Sequence, residues 1–238
     1  MSSDDLIRRA LRAVPDRPRW IEARAILLSG CCSVFESQGG FAIRNDASGG
    51  GLVALVGRPA PERIARALSD RPERELLCAA EDDDWLAEHF PSWTRRRAVL
   101  HELADAARLV PASEGVRVLR EEDELAHVLE DLREELEEAR AARTVHAVFT
   151  DDRAVCFAYA FWRTERWFDL SIDTLPDYRR RGLAKLAASA LIRAEARDGR
   201  RPVWGALLEN EASLRLARAL GFVAVDEIVI ATRDRAAR

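Results

Sequence analysis

The chain has 238 residues, of which 48% are hydrophobic and 33% are charged, and its formal net charge is −4. This length suits one large domain or two smaller ones, of which we favour two. The composition is globular, with neither the ~20 consecutive apolar residues of a membrane span nor the apolar core of a signal peptide. We therefore expect a cytoplasmic protein that does not bind membranes. Acidic and basic residues are mixed through both halves, so we also expect no nucleic-acid partner.

The pattern of the first half of the chain predicts a small α/β unit. Helical periodicity covers four segments, residues 4–14, 20–28, 61–68 and 82–89. Strand patterns cover three segments, residues 41–44, 52–56 and 75–80, and a glycine-rich loop at residues 45–51 joins the first two as a hairpin. The pattern breaks near residues 111–115. We therefore predict an N-terminal α/β domain over residues 1–112 and a second domain over residues 116–238.

The cysteines and histidines show no spacing that is typical of a metal site or a disulfide framework. The four cysteines lack a Cys-x-x-Cys motif, and the four histidines are scattered along the chain. We therefore expect no metal ion, and free thiols at Cys31, Cys32, Cys78 and Cys156.

The second half of the chain predicts a longer alternation of strands and helices. Strand patterns lie at residues 116–119, 145–150, 154–162, 167–174, 203–206 and 226–232. Helical patterns lie at residues 121–142, 182–197 and 210–220. The predicted order is β-α-β-β-β-α-β-α-β, which is a mixed α/β arrangement.

An arginine-rich loop lies between the strand that ends at Thr174 and the helix that begins at Gly182. The first N–H groups of a helix have no acceptor within the helix, and they attract anions. Gly182 and Ala184 have no large side chain, so a phosphate can approach the main chain closely. We interpret the loop as an anion-binding site suited to a pyrophosphate, and the alternative is a solvated helix start.

A second motif follows the next strand. The segment Asn210–Phe222 predicts a short helix that Asn210 or Ser213 can cap and that Gly221 ends in a left-handed conformation. Its apolar residues form one inward stripe, made of Leu216, Ala217 and Leu220. A short capped helix occurs in many folds, so this motif indicates a function only through its position after the loop.

In this order and at this separation, the two motifs resemble those of the GNAT (GCN5-related) N-acetyltransferases. Arg179, Gly182 and Ala184 match the acetyl-CoA signature of that family, Gln/Arg-x-x-Gly-x-Gly/Ala, and the Asn210–Phe222 segment is similar to its Asn-x-x-Ser/Ala helix. The resemblance covers the chain from residue 116 onward. It implies the GNAT fold, an α/β fold in which helices flank a mixed central sheet, with an N-terminal domain that covers the acceptor site or is a diverged GNAT-like half.

The resemblance also implies an activity and a set of binding residues. It implies transfer of an acetyl group from acetyl-CoA to a primary amine, by direct attack in a ternary complex. Backbone groups of the last strand residues before the loop would hold the pantetheine arm, and the loop would hold the diphosphate. The residues implied for acetyl-CoA binding are Ile172, Asp173, Thr174, Arg179, Arg180, Arg181, Gly182, Leu183, Ala184, Asn210 and Ser213.

Three residues are candidates for proton transfer. Alternate residues of the strand before the loop share a face, so Asp169 or Asp173 can take a proton from the attacking amine. In the alternative interpretation, these acids bind a cationic acceptor or face solvent. Much of the family carries a tyrosine, the proposed general acid, where this chain has Ala217, and the hydroxyl of Ser213 is the candidate in its place.

The sequence says less about the amine acceptor and the oligomeric state than about the coenzyme. We expect a small-molecule amine as the acceptor, and a homodimer is compatible with the sequence. Trp204 and the pair Leu216-Ala217 resemble the zwittermicin-resistance type of GNAT acetyltransferase. Because alanine cannot donate a proton, an acetyl-CoA-binding regulatory module with little or no turnover stays open as the alternative, as does an interaction platform.

Overall fold

The computed structural model describes residues 2–47, 50–141 and 145–233. The helices in these ranges are α1 (Ser3–Ala13), α2 (Ile21–Ser29), α3 (Pro61–Ala67), α4 (Asp83–His89), α5 (Glu130–Ala141), α6 (Leu183–Arg197) and α7 (Glu211–Ala219). The strands are β1 (Cys32–Ser37), β2 (Gly40–Asn45), β3 (Leu52–Gly57), β4 (Glu75–Ala79), β5 (Trp93–Leu103), β6 (Val116–Val118), β7 (His146–Thr150), β8 (Arg153–Arg163), β9 (Trp167–Thr174), β10 (Arg201–Leu207) and β11 (Phe222–Arg233). None of these helices is long and apolar enough to cross a membrane.

The chain forms two compact units that are not consecutive in sequence. Unit 1 contains the described residues of the ranges 1–100, 205–211 and 224–238. Unit 2 contains the described residues of the ranges 101–204 and 212–223. The domain boundary predicted between residues 112 and 116 stays a prediction, because a compact unit need not be a domain that folds alone.

Unit 1 is a mixed sheet with helices packed against it. Its strand order is β1-β2-β3-β4-β11-β5. β2 pairs antiparallel with β1 and β3, β3 pairs parallel with β4, and β4 pairs antiparallel with β11. Leu55 and Leu76 of the sheet are buried in one core with Ile64 of α3 and Leu86 of α4. Each such buried side chain stabilises the fold by roughly 1.5–3 kcal/mol.

Unit 2 has a sheet of the same kind. Its strand order is β10-β9-β8-β7-β6, in which β9 and β10 are parallel and the other neighbours are antiparallel. Helix α6 packs against β7, β8 and β9, and helix α5 packs against β8. Leu136 and Ala139 of α5 are buried in one core with Phe157 of β8.

The two units share one topology. Three antiparallel strands, a helix, a parallel strand and a second helix follow one another as β1-β2-β3-α3-β4-α4 and again as β7-β8-β9-α6-β10-α7. This repetition is consistent with one of the two predicted alternatives, in which the N-terminal domain is a diverged half of a doubled arrangement. The residues alone could not show it, because the first half of the chain has no second Arg-x-x-Gly-x-Ala motif.

The helix predicted over residues 121–142 is wrong at its start. Helix α5 begins at Glu130, and the residues before it form turns. The carboxylate of Asp123 accepts hydrogen bonds from the guanidinium of Arg117, at 2.6 and 2.7 Å, and from the N–H of Arg120, at 2.7 Å. These bonds hold the backbone in a turn that competes with helix formation. Residue 142 lies outside the described residues.

Strands β1 and β5 were not predicted. Strand β1 carries several polar residues and lies at the edge of its sheet. Strand β5 contains three consecutive arginines, which hide the alternation of apolar and polar residues. Arg95 and Arg97 both bind the carboxylate of Asp83, at 3.1 and 3.2 Å, so these two arginines lie on one face of the strand.

Candidate functional site

The loop between β9 and α6 has an unusual backbone. After β9 ends at Thr174, a single 3₁₀ turn at Pro176–Tyr178 leads to the N-cap residue of α6, Gly182. Gly182 has φ +78°, and Arg180 has φ +61°, a conformation that residues other than glycine rarely adopt. Left-handed residues in a tight loop are typical of the backbone concavities that bind anions.

The last amides of this loop and the first two of α6 have no acceptor among the described residues. No described group accepts a hydrogen bond from the backbone N–H groups of residues 180–184. Helix α6 has no side-chain cap and no acidic residue in its first turn, and an added Cβ at Gly182 would meet nothing within 4 Å. Five consecutive free N–H groups at the positive end of a helix dipole fit a diphosphate group.

None of the three arginines of the loop forms an ion pair with a described carboxylate. Arg179 donates from Nε to the carbonyl oxygen of Thr174 at 3.0 Å, and Arg181 donates to the carbonyl oxygen of Asp177 at 2.8 Å. Arg180 is exposed and has no side-chain partner among the described residues. In the described chain, no carboxylate lies within 4.0 Å of any of the three guanidinium groups. The loop is therefore positively charged as well as rich in free N–H donors.

Helix α6 is held firmly, which fixes the position of the loop. Its inward residues Ala187 and Leu191 are fully buried. The buried carboxylate of Glu195 binds the guanidinium of Arg163 on β8 and that of Arg200, the latter at 3.2 Å. A donor array fixed in this way can bind an anion without reorganisation.

Strands β9 and β10 separate beyond Asp169. The parallel pairing covers only residues 167–169 of β9 and 201–203 of β10. From Leu170 to Thr174, β9 pairs with β8 alone among the described strands. The other edge of this part of β9, which includes Ile172, is therefore free to pair with an extended ligand, as in β-strand addition.

Asp169 and Asp173 lie on the same face of β9, as the alternation predicts. They are four residues apart, which is ~13 Å along a strand, so the two carboxylates cannot serve one reacting atom together. Asp169 lies where β9 and β10 separate, and no described cation pairs with it. Burial raises the pKa of Asp169 to about 6, and a hydrogen bond from the N–H of Leu170 opposes this shift.

Tyr159 and Glu135 are site residues that the sequence did not reveal. The hydroxyl oxygen of Tyr159 on β8 lies 2.8 Å from a carboxylate oxygen of Glu135 on α5 and 3.0 Å from one of Asp173, so the two acids share its single proton. Burial, followed by the two carboxylates, raises the pKa of the tyrosine well above its ordinary value. No motif marks these residues, and the only signal is that Tyr159 falls on the α5-facing side of a strand that pairs with β9.

The residues of the second motif take up distinct positions. Asn210 is exposed and directly precedes α7, and Ser213 is the third residue of that helix. The oxygen of Ser213 accepts a hydrogen bond from the indole N–H of Trp204 at 2.9 Å. Gly221 ends the helix with φ +91°, where a Cβ would lie 2.3 Å from the carbonyl oxygen of Asp105. Ala217 is fully buried in the core.

The hydrogen bond between Trp204 and Ser213 can be tested by substitution. We expect Trp204→Phe to lower the free energy of unfolding by about 1 kcal/mol, because the aromatic packing on Phe222 is kept while the N–H donor is lost. Urea denaturation measures the change. Trp85→Phe is the matched control, because no described group accepts a hydrogen bond from its indole. Equal losses in both variants would contradict the prediction.

Comparisons with known proteins agree with this geometry. The family model described as GNAT acetyltransferase matches residues 112–230, which is half of the chain. Among curated proteins, no sequence matches significantly. A GCN5-related N-acetyltransferase-like protein from Streptococcus suis has a similar structure, with a TM-score of 0.69 at 19% identity over 97% of this chain and 99% of that one.

Two further solved structures extend this similarity. A GNAT-family acetyltransferase from Colwellia psychrerythraea gives a TM-score of 0.62 at 14% identity and covers 98% of both chains. A tandem GNAT protein from the clavulanic acid biosynthesis pathway gives a TM-score of 0.59 at 13% identity, over 97% of this chain and 95% of that one. These identities are low, so the similarity shows the fold. The predicted α/β fold, with helices on a mixed central sheet, is confirmed.

Proposed function

This chain belongs to the GNAT acetyltransferase family, and we propose that it transfers an acetyl group from acetyl-CoA to a primary amine by direct attack in a ternary complex. One observation carries the proposal. The backbone N–H groups of residues 180–184 have no acceptor in the described chain and stand at the start of a firmly packed helix. They suit the diphosphate of a coenzyme, and fixed donors of this kind bind without reorganisation.

The other residues proposed to bind acetyl-CoA lie on β9, in the arginine-rich loop and at the starts of α6 and α7. The free edge of β9 at Ile172, Asp173 and Thr174 would hold the pantetheine arm by main-chain hydrogen bonds, as an added strand. Arg179, Arg180 and Arg181 would add positive charge around the phosphates, while Leu183 and Ala184 would contribute N–H groups. Asn210 and Ser213 are proposed as further coenzyme contacts from the start of α7. The acetyl thioester supplies the group that is transferred.

We assign the role of general base to Asp169. The amine must lose a proton to attack, and a base works best when its pKa is close to the working pH. Burial raises the pKa of Asp169 to about 6, and the residue lies where β9 and β10 separate. Asp173 is held by the hydroxyl of Tyr159 and lies too far from Asp169 to act on the same nitrogen, so we assign to it the binding of another cationic group of the acceptor.

Ser213 is proposed as the proton donor to the departing thiolate. Its oxygen accepts a hydrogen bond from the indole N–H of Trp204, which fixes the position of the hydroxyl in the first turn of α7, and a serine hydroxyl is also a proton donor. The thiolate of coenzyme A is a fair leaving group near neutral pH, since thiols have pKa values near 8.5. Turnover without the family's tyrosine is therefore chemically reasonable.

Several finer features are part of the same proposal. The pair Leu216-Ala217 and the preceding Trp204 favour the zwittermicin-resistance type of GNAT acetyltransferase. A small-molecule amine is the proposed acceptor, and the cytoplasm is the proposed location. Neither a metal ion nor nucleic acid has a part in the proposed reaction, and a homodimer stays compatible with it.

A thermal-shift assay combined with a thiol-release assay tests the function. The full chain is heated with and without acetyl-CoA, and free coenzyme A is then measured in the presence of polyamines, aminoglycosides and amino acids. We expect stabilisation by acetyl-CoA, and thiol release that requires an amine. Stabilisation with no release across all the amines would favour the regulatory module. The absence of stabilisation would contradict acetyl-CoA binding and leave the interaction platform.

A further inference from the structure

Unit 1 contains a cavity that the proposed reaction does not use. Its volume is about 560 Å³, and α1, β1, β2 and α3 contribute its walls. Three arginines line it, Arg44 on β2 and Arg63 and Arg66 on α3. A volume of this order is typical of sites that bind small molecules, which range from ~300 to ~1,000 Å³.

Two of the three arginines have no acidic partner. Arg44 is neutralised, because it binds Asp46 and also lies 3.2 Å from Asp70. In the described chain, no carboxylate lies within 4.0 Å of the guanidinium of Arg63 or Arg66. These two residues are three apart on α3, so their side chains lie side by side on the helix surface.

The acidic side chain in the cavity is already paired. Glu36 lines the cavity, and its carboxylate binds Arg9 of α1 at 3.0 Å. Ser33 is also occupied, since its hydroxyl donates to Asp46 at 2.6 Å and accepts from Arg44 at 3.0 Å. The uncompensated charge of the wall is therefore positive and comes from Arg63 and Arg66.

The rest of the wall is partly apolar and also contains Ser3 and Ser69. Leu6, Val34 and Phe35 line the cavity. The ring of Phe35 lies 5.4 Å from the guanidinium carbon of Arg44 and 6.0 Å from that of Arg66. A cation above an aromatic face keeps the guanidinium plane in place, so its donors are oriented before any ligand arrives.

We propose that this cavity binds a small organic phosphate, with the phosphate on Arg63 and Arg66 and the organic part on Phe35. Paired guanidinium groups match the geometry of phosphate oxygens and bind them by charge-assisted hydrogen bonds. A ring or chain on the same molecule covers the apolar wall formed by Leu6 and Val34. The site lies within unit 1, while the loop at residues 179–184 belongs to unit 2.

Phenyl phosphate is the probe that tests the site. Isothermal titration calorimetry on the full chain compares it with inorganic phosphate, which lacks the ring, and with benzoate, which carries a carboxylate in place of the phosphate. We expect phenyl phosphate to bind at least ~10-fold more tightly than either. Equal affinity for phenyl phosphate and benzoate would overturn the assignment of a phosphate, and no detectable binding of phenyl phosphate would overturn the site.

Double substitutions inside and outside the cavity test where phenyl phosphate binds. Arg63→Gln combined with Arg66→Gln should weaken phenyl phosphate at least ~10-fold, because both charge-assisted contacts are lost. Arg12→Gln combined with Arg17→Gln removes the same charge from exposed positions outside the cavity and should leave binding unchanged. Equal weakening in both pairs would show a general effect of charge and overturn the proposal.

Two more variants separate this site from folding effects and from the loop at residues 179–184. Phe35→Leu should weaken phenyl phosphate more than inorganic phosphate, since the contact with the phenyl ring is lost in addition to the support of Arg66, and equal weakening of both would contradict the ring contact. Gly182→Asp should leave phenyl phosphate binding unchanged, because that loop belongs to unit 2. Loss of phenyl phosphate binding in Gly182→Asp would place the probe on the loop at residues 179–184 and overturn the cavity as its site.

Discussion

We expect Gly182→Asp to lower the affinity for acetyl-CoA at least ~100-fold, which corresponds to about 2.7 kcal/mol. The new carboxylate would stand beside the free N–H groups of residues 180–184. It would occupy the donors and repel the diphosphate, and two unit charges 4 Å apart interact by roughly 4 kcal/mol near a protein surface. Fluorescence or calorimetric titration with acetyl-CoA measures the loss.

Gly182→Asn is the control for this prediction. Asparagine has nearly the same size as aspartate, carries no charge, tolerates the left-handed φ of +78° and is equally favourable at an N-cap. Both variants should keep the thermal stability of the wild type within a few degrees. If Gly182→Asn loses as much affinity as Gly182→Asp, then shape rather than charge governs the loop, and the diphosphate assignment fails.

Asp169→Asn should lower kcat by about 100-fold or more, while the KM for acetyl-CoA stays close to that of the wild type. A general base typically contributes 10²- to 10⁴-fold, and the amide of asparagine cannot accept the proton. Steady-state kinetics of thiol release with the best amine acceptor measures this effect. Asp173→Asn is the matched control, and its main effect should be a higher KM for the amine. A larger loss of kcat in Asp173→Asn would reverse the two roles.

The same substitution, Asp169→Asn, should stabilise the fold at neutral pH. Burial raises the folded-state pKa of this carboxyl from 3.8 to about 6. The folded state therefore binds more protons than the unfolded state between these two values, and stability falls as the pH rises through this window. A shift of about two units corresponds to at most ~3 kcal/mol. Urea denaturation should show no gain for Asp169→Asn below pH 4 and the full gain above pH 6.5.

The sequence predicted the strand and the helix on either side of the arginine-rich loop well, because their signals are local. Arg179, Gly182 and Ala184 lie within six residues, and their meaning depends on a strand before them and a helix after them. Both elements have strong apolar periodicity, so their positions in the structure agree with the pattern. The free N–H groups of the loop then follow from helix geometry alone.

Other features required the three-dimensional structure. Tyr159 meets Glu135 and Asp173 only because α5 packs on β8, and these residues are 24 and 14 positions away in sequence. The start of α5 depends on the turn built around Asp123. The residues of this turn have a helix-forming composition, so the sequence pattern does not reveal the turn. A sequence pattern records propensity and periodicity, whereas these contacts depend on packing between elements.

The most direct test of the central claim is an acetyl-CoA titration followed by the backbone amide signals of residues 180–184 in NMR spectra of the full chain. The account predicts saturable shifts of these five amides, which are the largest in the spectrum because their free N–H groups gain phosphate acceptors. It also predicts that desulfo-coenzyme A, which keeps the diphosphate, shifts the same signals. Binding of acetyl-CoA that leaves these amides unchanged, or no binding at all, would contradict it.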